Sequence, residues 1–396
     1  MIHKMKNHRI VFLGVLFILQ SILIAENSHP IILLHGFIGW GRDELNDYYY
    51  WGGKFDLETY LIEQGFEVYT VSVGPISSNY DRAIEAFYQI KGGQVDYGAA
   101  HSKEYGLIRV PDGKEFLGLY PQWDADHPVH IIAHSMGGQT ATMLETLMNE
   151  VSSKEDSQLL GSSLPGWIKS ITTISTPHNG TTLQPIITDM FPFVQKLVVY
   201  LGSSQEGSSV EKLYDFDLEQ WGLARDPDEE FSQYLKRIRM SDLAQTKNFC
   251  TWDLSLEGTS QFNMSYQPDT SVYYFSYATY ATRQAKRSEY YVPDNQMNWR
   301  IWSTGFLMGR SDKADSLWFE NDGVVNTISM WGPGLDGTAI QKQINFTGTP
   351  VPGMWQKMGK LHFNHESVIG HATGKDDLDP IKKLFVDHCT LLYKLD

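Results

Sequence analysis

Two cysteines in 396 residues, Cys250 and Cys389, are too few to staple a fold, so stability must come from a buried core. Whether these two pair depends on geometry that spacing does not reveal. Positive charge is also scarce. Lys and Arg number 32 against 47 Asp and Glu, a formal net charge of −15. A polyanion such as nucleic acid is therefore repelled wherever no basic patch gathers, and none stands out in the sequence. A neutral substrate suits this balance better. No internal repeat or long low-complexity tract occurs. What remains is a globular composition, 42% hydrophobic and 20% charged, long enough for one large domain or two ordinary ones.

Residues 1–25 read as an export signal. Lys4, Lys6 and Arg9 precede the apolar run Ile10 to Leu19, and Ala25 offers a cleavage point. The run is interrupted by Gln20 and Ser21 and falls short of the roughly 20 apolar residues of a membrane span. The expectation is a secreted chain whose mature part, residues 26–396, forms a single domain.

Within it, short branched apolar runs alternate with helical spacing. His29 to Leu34, Val68 to Val73, Val129 to Ala133, Ile171 to Ser175 and Val272 to Ala278 read as buried strands. Leu57 to Gln64 and Gly137 to Met148 read as helices. This order predicts an α/β fold with a mostly parallel central sheet flanked by helices. Residues 38–56 and 75–125, rich in Gly, aromatic and polar residues, look inserted. Residues 182–240 hold the apolar run Leu183 to Leu201 and the Gly/Ser stretch 202–209. That run is either a core helix or a mobile helical lid.

The segment Ala133-His134-Ser135-Met136-Gly137-Gly138 lies where a strand yields to a helix. In a nucleophile elbow the serine occupies such a turn, and small residues flank it because strand and helix crowd together. Serine needs a base to take its proton, and an α/β-hydrolase supplies an acid and then a histidine later in the chain. Asp322 in Glu320-Asn321-Asp322-Gly323 and His365 satisfy that order. So do Asp312 and Asp315 for the acid, and His362, His371 and His388 for the base. The oxyanion would be held by the N–H of Met136, after the serine, and by that of Phe37 in His35-Gly36-Phe37, after the first strand.

Many blocks in one order resemble the secreted lipases of bacilli and staphylococci, the thermoalkalophilic lipase group. They include His35-Gly36-Phe37 with Gly39-Trp40-Gly41-Arg42, Tyr50-Trp51-Gly52-Gly53, Asn79-Tyr80-Asp81-Arg82-Ala83, Val95 to His101, Ala133 to Gln139, Thr176-Pro177-His178, Gln220-Trp221-Gly222-Leu223 and Glu320 to Asn326. The resemblance implies the α/β-hydrolase fold, triacylglycerol hydrolysis at an oil–water or membrane interface, a lid after Thr182, and Ser135, Asp322 and His365 as the triad. No cofactor is required for that chemistry. The family also holds a zinc by two Asp and two His. Asp81 and His101 match the first two positions, but the others fall on Leu107 and near Asn248, leaving a partial site. The family's calcium site is incomplete as well: its acidic ligand corresponds to Ser367 and its Asp-Pro to Ala372-Thr373, with Glu366, Asp376 or Asp377 as substitutes. A phospholipase A1, a short-chain carboxylesterase and an inactive lipid-binding protein are the alternative outcomes.

Overall fold

The branched runs that read as strands pair into one sheet. The computed structural model describes residues 27–45, 47–151, 155–183, 214–334, 343–371 and 378–396. The stretch 1–25 read as an export signal, and residues 184–213, which contain nearly all of the apolar run read as a lid, lie outside them. In chain order the elements are β1 (Ile31–Leu34), α1 (Leu57–Glu63), β2 (Val68–Val71), α2 (Asn79–Lys91), β3 (Gly93–Gln94), α3 (Ala99–Tyr105), β4 (Glu115–Phe116), β5 (Val129–His134), α4 (Met136–Asn149) and β6 (Ile168–Ile174). There follow α5 (Phe231–Arg239), α6 (Cys250–Asp253), α7 (Leu256–Ser265), β7 (Tyr273–Thr279), β8 (Thr282–Gln284), β9 (Tyr291–Pro293), α8 (Trp302–Met308), β10 (Gln343–Asn345), β11 (Trp355–Leu361) and α9 (Asp379–Leu392).

Seven strands lie in the order β10-β11-β7-β6-β5-β1-β2, and every pairing is parallel. The predicted α/β sheet is thus borne out. Successive side chains on a strand face opposite ways. Ile31 and Leu33 accordingly join one apolar cluster with Ile132 and Phe385, while Ile32 and Leu34 join another with Ile131, Phe87 and Leu144. Both faces of the sheet are covered, which is why its strands read as unbroken apolar runs. The stretch 75–125 opens on α2, whose buried residues join the second cluster beside those of α4. Cys250 and Cys389 are both buried and form no disulfide with each other.

From β1 the chain steps to β2 on one side and then returns to β5 on the other. Such a reversal opens a crevice at the carboxyl ends of the two strands, where ligands of this architecture bind. The turn after β1 carries His35 to Phe37, and the turn after β5 carries Ser135. These turns press together. A Cβ at Gly36 would lie 2.6 Å from Cβ of Ser135, and one at Gly137 would lie 2.5 Å from the Leu34 carbonyl oxygen and 2.6 Å from that of His35. Backbone cannot yield as a side chain can. Gly137→Ala is therefore expected to cost about 1–3 kcal/mol, the usual range for overpacking, read as a lowered urea midpoint. An unchanged midpoint would show that the two turns have room to part.

Candidate active site

Ser135 caps the start of α4 with φ 56° and ψ −133°, a positive φ that a residue with a Cβ adopts only under constraint. Ser135 N–H donates to the Ile174 carbonyl on β6 at 2.9 Å, fixing the turn from the neighbouring strand. Ala133, where a glycine usually stands, is fully buried and paired with Leu34 and Thr173, so its methyl is accommodated inside the sheet.

The Ser135 hydroxyl lies 2.8 Å from Nε2 of His365, whose Nδ1 lies 2.8 Å from Oδ2 of Asp322. The carboxylate only accepts, so Nδ1 carries the proton and Nε2 is the lone pair facing the serine. Asp322 is fully buried. Its Oδ1 accepts the N–H groups of Val324 at 3.0 Å and Val325 at 2.8 Å, and its Oδ2 also accepts the Thr279 hydroxyl at 2.7 Å. His365 N–H donates to the Asp322 carbonyl at 3.1 Å, so the two loops hold each other. Donors on both oxygens satisfy this buried carboxylate. The chain of bonds can deprotonate the serine and then steady the imidazolium.

The other candidates lie elsewhere. Asp315 caps a short 3-10 turn, and Asp312 is exposed. His362 pairs with Asp294 at 2.8 Å on the surface. His371 donates to the Tyr50 carbonyl at 2.6 Å, and His388 is buried between the hydroxyls of Thr172 and Tyr277. Met136 is the first residue of α4, where an N–H has no helical acceptor. Phe37 is partly buried in the turn that abuts Ser135.

Two residues in this site escaped the sequence reading as chemical groups, His134 and Tyr50. Nε2 of His134 lies 2.9 Å from the His365 carbonyl, which can only accept, so Nε2 carries the proton and Nδ1 is an acceptor. Nδ1 takes the Tyr50 hydroxyl proton at 2.6 Å, and that hydroxyl in turn accepts the N–H of Gly36 at 2.9 Å. Burial, and then the neighbouring His365, hold the His134 imidazole neutral well below its usual pKa. One buried thread therefore joins the turn after β1, the elbow and the His365 loop. Arg82 reinforces it, donating to the carbonyls of His35 at 2.6 Å and Gly74 at 2.9 Å.

The profile described as "Lipase-like, C-terminal domain" matches residues 27–384. The chain belongs to this family. It is 36% identical over 360 residues to Lipase 1 of Staphylococcus aureus, an alignment covering 87% of this chain and 51% of that protein. The chain thus spans about half the length of the curated relatives it matches. Its fold is similar to that of EstA from Clostridium botulinum, with TM-score 0.86 and 35% identity over 94% of this chain and 88% of that one. Lipase 1 from Pelosinus fermentans gives TM-score 0.81 and 38% identity over 93% and 100%. The resemblance to staphylococcal lipases read from the sequence is borne out.

The zinc that this resemblance implies can be tested against the residues present. Asp81 and His101 do meet, Nε2 to Oδ1 at 2.9 Å. The remaining places around Asp81 are taken by amides. Asn248 Nδ2 donates to both carboxylate oxygens at 3.2 Å, and Gln220 Nε2 donates to Oδ2 at 3.3 Å. An amide N–H has no lone pair for a metal, so this donor set does not fit zinc. The calcium ligand position is no better. The Ser367 hydroxyl is engaged with Asn364 N–H at 3.1 Å and its carbonyl at 3.2 Å, and Ala372, Thr373, Asp376 and Asp377 lie outside the described residues. Burial raises the Glu366 carboxyl above its ordinary range. Among the described residues, Asp215, Asp217 and Glu219 also cluster, but the buried Lys114 ammonium already lies 3.1 Å from Glu219 and 3.0 Å from the Asp217 carbonyl.

Two outcomes follow. Tyr50→Phe strands a buried N–H and a buried imidazole nitrogen, each costing about 1–3 kcal/mol, so the urea midpoint should fall by the equivalent of about 2–6 kcal/mol; an unchanged midpoint makes the bridge dispensable. Elemental analysis of protein dialysed against zinc should find no stoichiometric metal. Leu107→His with Asn248→Asp should raise zinc retention.

Proposed function

We propose that the protein is a serine ester hydrolase acting on acylglycerols, with Ser135 as nucleophile, His365 as general base and then acid, and Asp322 as its orienting partner. The observation that carries this reading is the unbroken hydrogen-bond chain from Ser135 through His365 to Asp322, set at the sheet's switch point. His365 Nε2 takes the hydroxyl proton as Ser135 Oγ attacks the ester carbonyl. The N–H groups of Phe37 and Met136 receive the developing oxyanion. The leaving alcohol takes the proton from His365, which breaks the ester C–O bond and leaves an acyl-serine. Water, deprotonated by the same imidazole, then releases the fatty acid and restores Ser135. Membership of a lipase-like family supports a lipid ester as substrate, and the export segment read at residues 1–25 supports one met outside the cell.

Emulsified long-chain triacylglycerol should be hydrolysed by the wild-type chain. Ser135→Ala should lose at least about 10⁴-fold, as removal of a triad nucleophile does elsewhere. Turnover confined to soluble short-chain esters would make it a carboxylesterase, and release confined to phospholipid a phospholipase A1. No hydrolysis of any ester overturns the reading and leaves a lipid-binding protein.

A further inference from the structure

One unit stands apart from the sheet. The β8–β9 hairpin and α8 pack together, Tyr291 N–H donating to the Gly309 carbonyl at 2.8 Å. The inner side of the unit is apolar and buried through Met297, Ile301 and Ala281. Its outer side carries large apolar side chains too. Trp299 is 77% exposed, Leu307 55% and Trp302 46%. Trp302 stacks on Phe306 with ring centres 5.3 Å apart, and the Arg310 guanidinium lies 3.5 Å from the Phe306 centroid and 5.6 Å from that of Tyr290. Trp302 and Phe306 thus lie side by side, and one cation spans Phe306 and Tyr290.

The charge around it is reversed relative to the chain. Residues 283–313 hold six Lys and Arg, all exposed, against three Asp and Glu, whereas the whole chain is −15. Spread over 31 positions, these cations do not read as a basic patch, but in the fold Arg310 lies over Phe306 and Tyr290, and Arg300 over Trp299. Trp and Tyr settle at the headgroup level of a bilayer, and Arg reaches past apolar surface toward phosphate. Among the described residues no helix is long and apolar enough to cross a membrane, so contact there would be peripheral.

We propose that this face, Trp299, Trp302, Phe306 and Leu307 with Arg310 and its basic neighbours, seats the protein on an anionic phospholipid surface. A second copy of the chain is the poorer occupant, because like-charged rims would oppose each other. Elsewhere the chain's negative charge repels such a membrane, so the unit also sets the orientation of approach. It is well placed to do so. Thr304 donates to the Gly323 carbonyl at 2.6 Å, and Asn364 donates to the Gln296 carbonyl at 2.8 Å. Both loops of the proposed triad are thereby rooted on it. The consequence for turnover rests on the proposed hydrolase reading; the docking itself does not.

The test is vesicle co-sedimentation of Ser135→Ala protein, which binds without consuming lipid. Vesicles of phosphatidylglycerol with phosphatidylcholine should bind it, phosphatidylcholine alone more weakly, and high salt should reduce the difference. Trp299→Ser with Trp302→Ser and Leu307→Ser should weaken binding about tenfold or more. Lys286→Gln with Arg310→Gln and Lys313→Gln should erase the anionic preference. Unchanged melting temperatures would confirm that both variants fold. Binding that neither variant alters, or no binding by the parent, overturns the proposal. A concentration-dependent dimer lost when Trp299, Trp302 and Leu307 are replaced overturns it too, making the face an interface between copies.

Discussion

The site depends on how closely the turn after β1 approaches the turn after β5. Carbonyl oxygens of Leu34 and His35 lie 2.5 and 2.6 Å from where a Cβ of Gly137 would be, and Cβ of Ser135 lies 2.6 Å from where a Cβ of Gly36 would be. That proximity brings the Gly36–Phe37 peptide beside the serine, and it also forces Ser135 into a positive φ. Such strain persists only when its surroundings over-determine it. Here they do so through the Ile174 carbonyl on one side and, on the other, the hydrogen-bonded thread from Gly36 through Tyr50 and His134 to His365. Arg82, buried and bonded to both turns that flank β1 and β2, closes the frame.

The directions of those bonds are fixed by chemistry. Because one backbone carbonyl and one carboxylate can only accept, each imidazole has one permitted tautomer: Nε2–H in His134 and Nδ1–H in His365. Two histidines with ring centres 4.7 Å apart thus take opposite tautomers. Only one of them presents a lone pair to Ser135. The buried His134 stays neutral, so it adds no positive charge beside the imidazole that must accept a proton.

Much of this was legible in the sequence, for a physical reason. Strands covered on both faces are written as continuous apolar runs, so β1, β2, β5, β6 and β7 could be read within a few residues. β11 could not. It contains Lys357, Gly359 and Lys360, carries a bulge between Lys357 and Gly359, and is only partly buried beyond Gln356. Its identity as a strand comes from its neighbours β7 and β10, not from its own pattern. The serine was legible because its crowding demands small residues at fixed spacing. From chain order alone Asp322 and His365 were legible only as members of short lists, since order constrains them and distance does not; the family resemblance singled them out. His134 and Tyr50 were invisible as a pair, 84 positions apart and joined only by the fold.

The cluster at Asp81 carries the same lesson further. Read by matching, Leu107 and Asn248 are two missing ligands. In the fold, Asn248 and Gln220 supply N–H groups to both oxygens of a fully buried carboxylate that a metal would otherwise have to neutralise. Hydrogen-bond donors and a cation are alternative answers to one problem, the cost of an uncompensated buried charge. Lys114, set beside Glu85 at 2.7 Å and Glu219 at 3.1 Å, is a further such answer in the same region. A donor built into the chain needs no supply of metal and cannot be removed by a chelator. Its drawback is rigidity of another kind: each amide serves only while α5, α6 and the segments around Gln220 keep their places, so the region stays ordered through packing rather than coordination.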